Sequence, residues 1–277
     1  LLYPSSPNVQ TSPLSFTSAK TLAYTAGTFK IGNHSGEFRK FKLPKNKHEF
    51  RTIYCVDNKS KKYLKSYIPY LEAIAEKLDK HHITHAFMRN RNCALNAFKH
   101  VGHKHTLTID IKDFFDSVSY AHLKGILKNN IIEDCFIDGA PRQGLSTSPL
   151  IANIALMDCD NRILSTLARF NIDCVYTRYA DDLTFSFNEI KHAPKIKHIS
   201  QQIIESCGFS LNKKKTRLQS LSNGRIIING IGVDEHGIYP TRKTKKKLRA
   251  AIHQCNIRSA RGLAEWSKCK LPHNMVS

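Results

Sequence analysis

Two adjacent acids, Asp181 and Asp182, stand in the run Tyr179-Ala180-Asp181-Asp182, flanked by Cys174-Val175-Tyr176 and Leu183-Thr184-Phe185-Ser186-Phe187. Adjacent carboxylates repel each other and are costly to enclose. Along a strand, successive side chains point to opposite faces. The tip of a tight β-hairpin breaks that alternation and lets both acids approach one place. A bound divalent cation is the simplest reason to hold two acids there, and hard oxygen ligands favour Mg²⁺ or Mn²⁺ over zinc. A third acid, Asp110, lies in the alternating run Thr106-Leu107-Thr108-Ile109-Asp110-Ile111, with Phe114, Phe115 and Asp116 just beyond. If that strand pairs with the 174–187 hairpin, Asp110 and Asp181 share one pair of metals. Such a pair stabilises the attacking and leaving oxygens of an in-line phosphoryl displacement. Each acid alone reads as a solvated turn residue; together, and with the segments below, they read as a site.

Other elements must position these acids. Phe38 to Asp57 alternates loosely around a basic turn at Pro44-Lys45-Asn46-Lys47 and reads as a hairpin. Residues 59–80 have apolar positions at helical spacing, interrupted by Pro69, and 92–100 fit a short helix. A helix is expected over 120–128. Ser148-Pro149 opens a long helical pattern through Ile151, Ile154, Ile163 and Leu167, with Ser148 placed as its cap. A helix over 195–207 follows, then strands 225–231 and 237–240 around a turn at 234–237, then a very basic helix over 241–255. This order predicts an α+β core, with helices packed on one face of an antiparallel sheet.

The chain has 277 residues, with 43 Lys+Arg against 22 Asp+Glu, a formal charge of +21. Hydrophobic content is ordinary at 41%, so the excess charge covers a folded body rather than a disordered tail. Its natural partner is a polyanion, nucleic acid before an anionic membrane surface. No apolar run is long enough to span a bilayer, and the N-terminus is a poor signal peptide. The first residue is Leu, as expected of a piece of a longer chain. The eight cysteines are scattered without a Cys-x-x-Cys pair, which predicts free thiols in a cytoplasmic protein. The histidines at 81, 82, 85, 103 and 105 have no metal-binding spacing.

The motifs together resemble the reverse transcriptases. Tyr179-Ala180-Asp181-Asp182 resembles their catalytic box, and the other boxes follow in family order over about 38 to 262. The 41–53 segment is similar to the fingers hairpin, where a Lys and an Arg hold the incoming triphosphate; Lys45 and Arg51 match, Arg51 better. Leu107 to Asp110 with Phe114-Phe115 resembles the first palm box, in which a metal also takes the backbone carbonyl at Ile111. Phe114 lies beside the nucleotide, and Phe115 stands at the steric gate that favours dNTPs. It reads otherwise as a core Phe. Gln143-Gly144-Leu145-Ser146-Thr147-Ser148-Pro149 resembles the box whose Gln contacts the nucleotide. Asn212 to Thr216 resembles the Asn-x-x-Lys-Thr box. Its Lys215 is either a general acid for pyrophosphate or part of a phosphate-facing basic run. Asp182 either ligates metal or supports the site. Gly230 to Pro240 falls at the primer-gripping hairpin.

Within the family, Asn96-Ala97-Phe98-Lys99-His100 and the Thr-Ser-Pro form of the Gln-Gly box are most similar to bacterial retron enzymes. Ile228-Asn229-Gly230 departs from their usual Val-Thr-Gly. The resemblance implies a right-hand polymerase: an N-terminal arm (1–36), fingers (37–104), palm (105–240, with a fingers-side segment near 130–147) and a short helical thumb (241–277). It also implies two Mg²⁺ ions (Mn²⁺ as the alternative) held by Asp110, Asp181 and Asp182. Asn96, His100, Lys243, Lys246, Lys247 and Arg249 are expected to recognise RNA. The implied partners are dNTPs, a structured noncoding RNA serving as template and primer, the DNA product and a separate effector protein in phage defence. Different priming, untemplated synthesis or a silent RNA-binding scaffold are the other readings.

Overall fold

The computed structural model describes residues 22–45 and 49–272. Residues 1–21 of the expected arm, Asn46 and Lys47 of the basic turn, and the last residues of the expected thumb lie outside them.

The first sheet has three antiparallel strands, β1 (Leu22–Ile31), β2 (His34–Pro44) and β3 (Phe50–Val56). The β2–β3 hairpin matches the sequence expectation, with Phe38 facing Val56 and Leu43 facing Arg51. β1 adds structure to the arm expected over 1–36: Phe29 and Ile31 alternate inward and are buried, and residues 22–31 form a strand. Two helices follow, α1 (Asn58–Ser66) and α2 (Ile68–Leu78), split at Tyr67 just before Pro69, which occupies the first turn of α2. The short helix α3 (Cys93–Phe98) is capped by Asn92, whose side chain accepts from the Leu95 amide.

The second sheet is the centre of the molecule. Its strand order is β5 (Val175–Tyr179), β6 (Asp182–Phe187), β4 (His105–Asp110), β7 (Arg217–Ser220), all antiparallel. β4 is buried on both faces after its first residue, which suits a central strand. Between β4 and β5 come α4 (Phe114–Ser117), α5 (Asn129–Asp134) and the long α6 (Ser148–Arg169). The helix expected over 120–128 is a single 3₁₀ turn, Tyr120–His122, because the chain turns at Gly125 with φ +82°. Ser148 is also not the cap of α6. It is the first helical residue, and its hydroxyl donates to the Arg142 carbonyl at 2.8 Å, while Pro149 takes the first turn as expected.

The helix α7 (His192–Ser206) packs against α6 and β4. The segment 225–231 is two strands, β8 (Ile226–Ile228) and β9 (Ile231–Val233). Asn229 (φ +47°) and Gly230 (φ +81°) fold it into a two-residue hairpin turn. β9 then pairs with β10 (Ile238–Pro240), completing the third sheet. Two helices close the described chain, α8 (Arg242–His253) and α9 (Ile257–Ser267). The main core runs continuously from Phe29 to Phe209, and a smaller one joins Ala94 and Ala97 of α3 to Ile226, Ile228, Ile231 and Val233. No helix among the described residues is long and apolar enough to cross a membrane.

Candidate active site

The acids meet where the central sheet ends. Tyr179 pairs with Asp182, so Ala180 and Asp181 form a two-residue turn, with Ala180 left-handed at φ +57°. Asp110 pairs directly with Asp182 across β4 and β6, and the Ile111 amide donates to the Asp181 carbonyl at 2.9 Å. In an extended residue the N–H and C=O point the same way. The Ile111 carbonyl is therefore turned toward the hairpin tip. On its other edge, this stretch receives the Asn212 amide on the Asp110 carbonyl at 2.7 Å. That contact places the Asn212–Lys215 turn beside the first acid. The Lys215 ammonium then reaches Asp110 Oδ2 at 2.6 Å.

Burial raises the pKa of Asp181, and the charge of Asp110 adds to the rise. Burial, then Asp181 and Asp110, push Asp182 up to about 6. Burial works against the charge on Lys215, but its bond to Asp110 and the neighbouring acids outweigh that and raise its pKa. One ammonium thus faces three carboxylates, and added positive charge would relieve the strain on all of them. Among the described residues no three acids form a closed metal cluster. Asp110 is engaged by Lys215, and Asp182 accepts from Asn229 Nδ2 at 3.2 Å.

A cleft of about 600 Å³ opens over Asp110 and Asp181. Lys45, Arg51, Gln143 and Lys215 line it, as do Phe114 and Phe115. Asp182 does not. It faces Asn229 instead, which favours support of the tip over a place among the reacting groups. Phe114 is buried, and Phe115 packs on it at 5.3 Å between centroids while remaining partly open to the cleft. Gln143 is held by its backbone: its carbonyl accepts from the Tyr54 amide of β3 at 2.7 Å. Gly144 makes that approach possible. Its φ is +109°, and a Cβ there would lie 2.1 Å from the Tyr54 carbonyl oxygen.

Asn96 and His100 require a correction. Both are buried and do not present themselves to an RNA surface. His100 bonds Ser186 Oγ at 2.8 Å and Thr177 Oγ1 at 2.7 Å, one ring nitrogen to each strand of the acidic hairpin. Burial drives its pKa down to about 3, so the ring is neutral. Asn96 Nδ2 donates to Asn229 Oδ1 at 2.6 Å, and Asn229 in turn holds Asp182. The Asn-x-x-x-His pattern therefore positions the acidic hairpin from behind. Lys243, Lys246, Lys247 and Arg249 are exposed on α8, which buries Thr244 and Ala251 on its other face.

One support has no counterpart in the sequence reading. Arg178 is fully buried, and its guanidinium bonds Asp160 (2.8 Å), Asn153 Oδ1 (3.0 Å), Thr84 Oγ1 (3.0 Å) and the Ala180 carbonyl (3.2 Å). Tyr176 donates to the same Asp160 at 2.6 Å. A signal was present: Asn153 and Asp160 fall at helical spacing in the apolar stripe of α6 with Leu156, Ile163 and Leu167. Polar residues in a core stripe need partners.

Acids at the end of a central strand and at the adjoining hairpin tip, with helices behind, define the right-hand polymerase class. The solved structures agree. The chain is similar to the apo telomerase from Candida tropicalis (TM-score 0.55, 16% identity, covering 75% of this chain and 48% of that one). It is also similar to a telomerase from Candida albicans solved with a fragment of telomeric RNA (TM-score 0.52, 15% identity, 73% and 45%). Residues 43–249 match the family "Reverse transcriptase (RNA-dependent DNA polymerase)", and the chain belongs to that family. Its relatives include the retron Mx65 and Mx162 reverse transcriptases of Myxococcus xanthus, 29% and 30% identical over 66% of this chain. The retron Ec73 reverse transcriptase of Escherichia coli is 30% identical over 76% of this chain and 73% of its own length. The chain spans about half the length of the two Myxococcus relatives, 48% and 46%.

Proposed function

We propose that the chain copies RNA into DNA by nucleotidyl transfer at the Asp110–Asp181 site. The observation that carries this reading is the convergence of two acids from separate segments beneath a cleft lined by Arg51, Gln143 and Phe115. A primer hydroxyl attacks the α-phosphate of a dNTP; one P–O bond forms, and the bond to pyrophosphate breaks. Two divalent cations, Mg²⁺ with Mn²⁺ as the alternative, would be held by Asp110, Asp181 and the Ile111 carbonyl, supplying charge neutralisation at the phosphates. The excess acidity of the site supports that assignment. Arg51 and Lys45 grip the triphosphate, Gln143 orients the nucleotide, and Phe115 crowds a ribose 2′-hydroxyl. Lys215 faces the leaving pyrophosphate once its bond to Asp110 is relaxed. Residues 37–104 act as fingers, 105–240 as palm, and α8 and α9 as the start of a thumb. The exposed Lys243, Lys246, Lys247 and Arg249 track a duplex backbone through phosphate contacts.

Likeness to the retron relatives alone supports the finer reading. One structured noncoding RNA would serve as template and primer, the product would be an RNA–DNA hybrid, and a separate effector protein would join it in phage defence. Sequencing the nucleic acid that copurifies with the protein tests that layer. The core activity is tested by dNTP incorporation on a primed RNA template. Asp181→Asn should lower it by at least ~10²-fold, and unchanged incorporation would sink the assignment.

A further inference from the structure

A second group of chemistry-bearing side chains lies between α6 and the C-terminus of α7. Cys207 caps the C-terminus of α7, half-buried, and its position is fixed by His122 Nε2 donating to its carbonyl at 2.8 Å. Arg162, projecting from α6, donates from Nη1 to Cys207 Sγ at 3.3 Å and from Nη2 to Ser206 Oγ at 3.0 Å. Cys159, three residues before Arg162 on the same helix, is buried and lies on the face of α6 that packs against α7. The residues thus provide a half-buried cysteine with a cation on its sulfur and a buried thiol one helical turn from that cation. The thiolate is the nucleophilic form of cysteine, and a neighbouring guanidinium stabilises it.

We propose that Cys207 is a peroxide-reactive cysteine, with Cys159 as its resolving thiol. The Cys207 thiolate attacks one oxygen of hydrogen peroxide. An S–O bond forms, the O–O bond breaks and hydroxide leaves, so sulfur is oxidised by two electrons and peroxide reduced. The Cys159 thiol, losing its proton, then attacks the sulfenic sulfur. The S–S bond forms and the sulfenic oxygen departs as water, giving two waters and one disulfide per peroxide consumed. The product ties α6 to the end of α7, and a thiol reductant reverses it. The direction of the thiol's acidity agrees: the Cys159 thiol donating to it, and then the charge of Arg162, hold Cys207 below the ordinary cysteine range against the opposing effect of burial.

The experiment treats the full chain with stoichiometric hydrogen peroxide and follows it by intact mass and peptide mapping. A species about 2 Da lighter, with Cys159 and Cys207 in one cross-linked peptide, is expected to form before the exposed Cys55 and Cys255 react. Arg162→Gln, at an exposed helix position, should slow that step about tenfold. Cys159→Ser should leave a sulfenate at Cys207 that dimedone traps. The proposal is overturned if Cys207 oxidises no faster than Cys255, or if Arg162→Gln leaves its rate unchanged. Both of those readings are available even if Cys159→Ser does not fold.

Discussion

Arg178 shows how much of this site rests on one residue outside the cleft. Its guanidinium has no exposure and ties α6 (Asp160, Asn153) and Thr84 to the carbonyl of Ala180 in the acidic turn. Removing one member of a buried ion pair leaves an uncompensated charge and costs about 3–5 kcal/mol. Arg178→Met should therefore lower stability by that amount in urea denaturation, because Asp160 is left charged in the core. Asp160→Asn leaves the Arg178 charge uncompensated in the same way and should cost a similar amount. Phe115 is a simpler case. It borders the cleft on a buried partner, Phe114, so truncating it opens space without removing a core side chain. Phe115→Ala should raise ribonucleotide incorporation relative to deoxyribonucleotide by at least ~10-fold. A ratio equal to the parent's in single-nucleotide assays would remove Phe115 from the gate.

At the scale of elements, the Gln143-Gly144 segment and β3 form one unit. The Tyr54 amide and the Gln143 carbonyl bond across it, and Gly144 fits only because it has no Cβ. Backbone is what an added methyl would strike, so no side-chain rotation relieves the clash, and φ +109° is strained for any L side chain. Gly144→Ala should thus displace Gln143 and raise the apparent KM for dNTP more than it lowers thermal stability. A variant with an unchanged KM would show that the segment adjusts. β4 and the strands of the hairpin were legible in the sequence, since both runs alternate and both carry acids, while their pairing stood there only as a condition. The short elements were less so. Asn229-Gly230 carries a hairpin-turn signal inside what reads as one strand, and its consequence appears only when Asn229 is seen holding Asp182. Asn96 and His100 were singled out as RNA contacts, and the structure buries both. A lone polar residue on or just after a short helix does not reveal which way it faces.

For the molecule as a whole, buried titrating groups set opposite trends with pH. Burial holds His100 at about 3 and His85 at about 4, both below the ordinary 6.5. The unfolded chain therefore takes up protons first. That stability is complete above pH 6.5 and is lost as pH falls toward the folded values, at up to about 1.4 kcal/mol per pH unit for each ring. Asp182 runs the other way. Its folded value of about 6 lies above the ordinary 3.8, so the folded chain binds the proton more tightly and gains stability as pH falls through 6. Without added metal, urea denaturation between pH 6.5 and 4.5 should show a decline that is shallower in His100→Gln and steeper in Asp182→Asn. The same slope in all three chains would contradict the burial assigned to these groups.

The sequence by itself determined the family of the protein: which acidic and basic residue types stand in which boxes, in what order. Those are properties of residue type and local spacing, and hairpins and long amphipathic helices are local too. Only the tertiary structure decided the long-range pairings. It set Asp110 against Asp182 with Lys215 on its carboxylate, Arg178 behind the turn, and His100 and Asn229 as supports rather than contacts. The physical reason is burial. Whether a polar side chain serves the surface or the core depends on what packs over it, and the groups that pack here come from segments up to 133 residues away, as with Asn96 and Asn229.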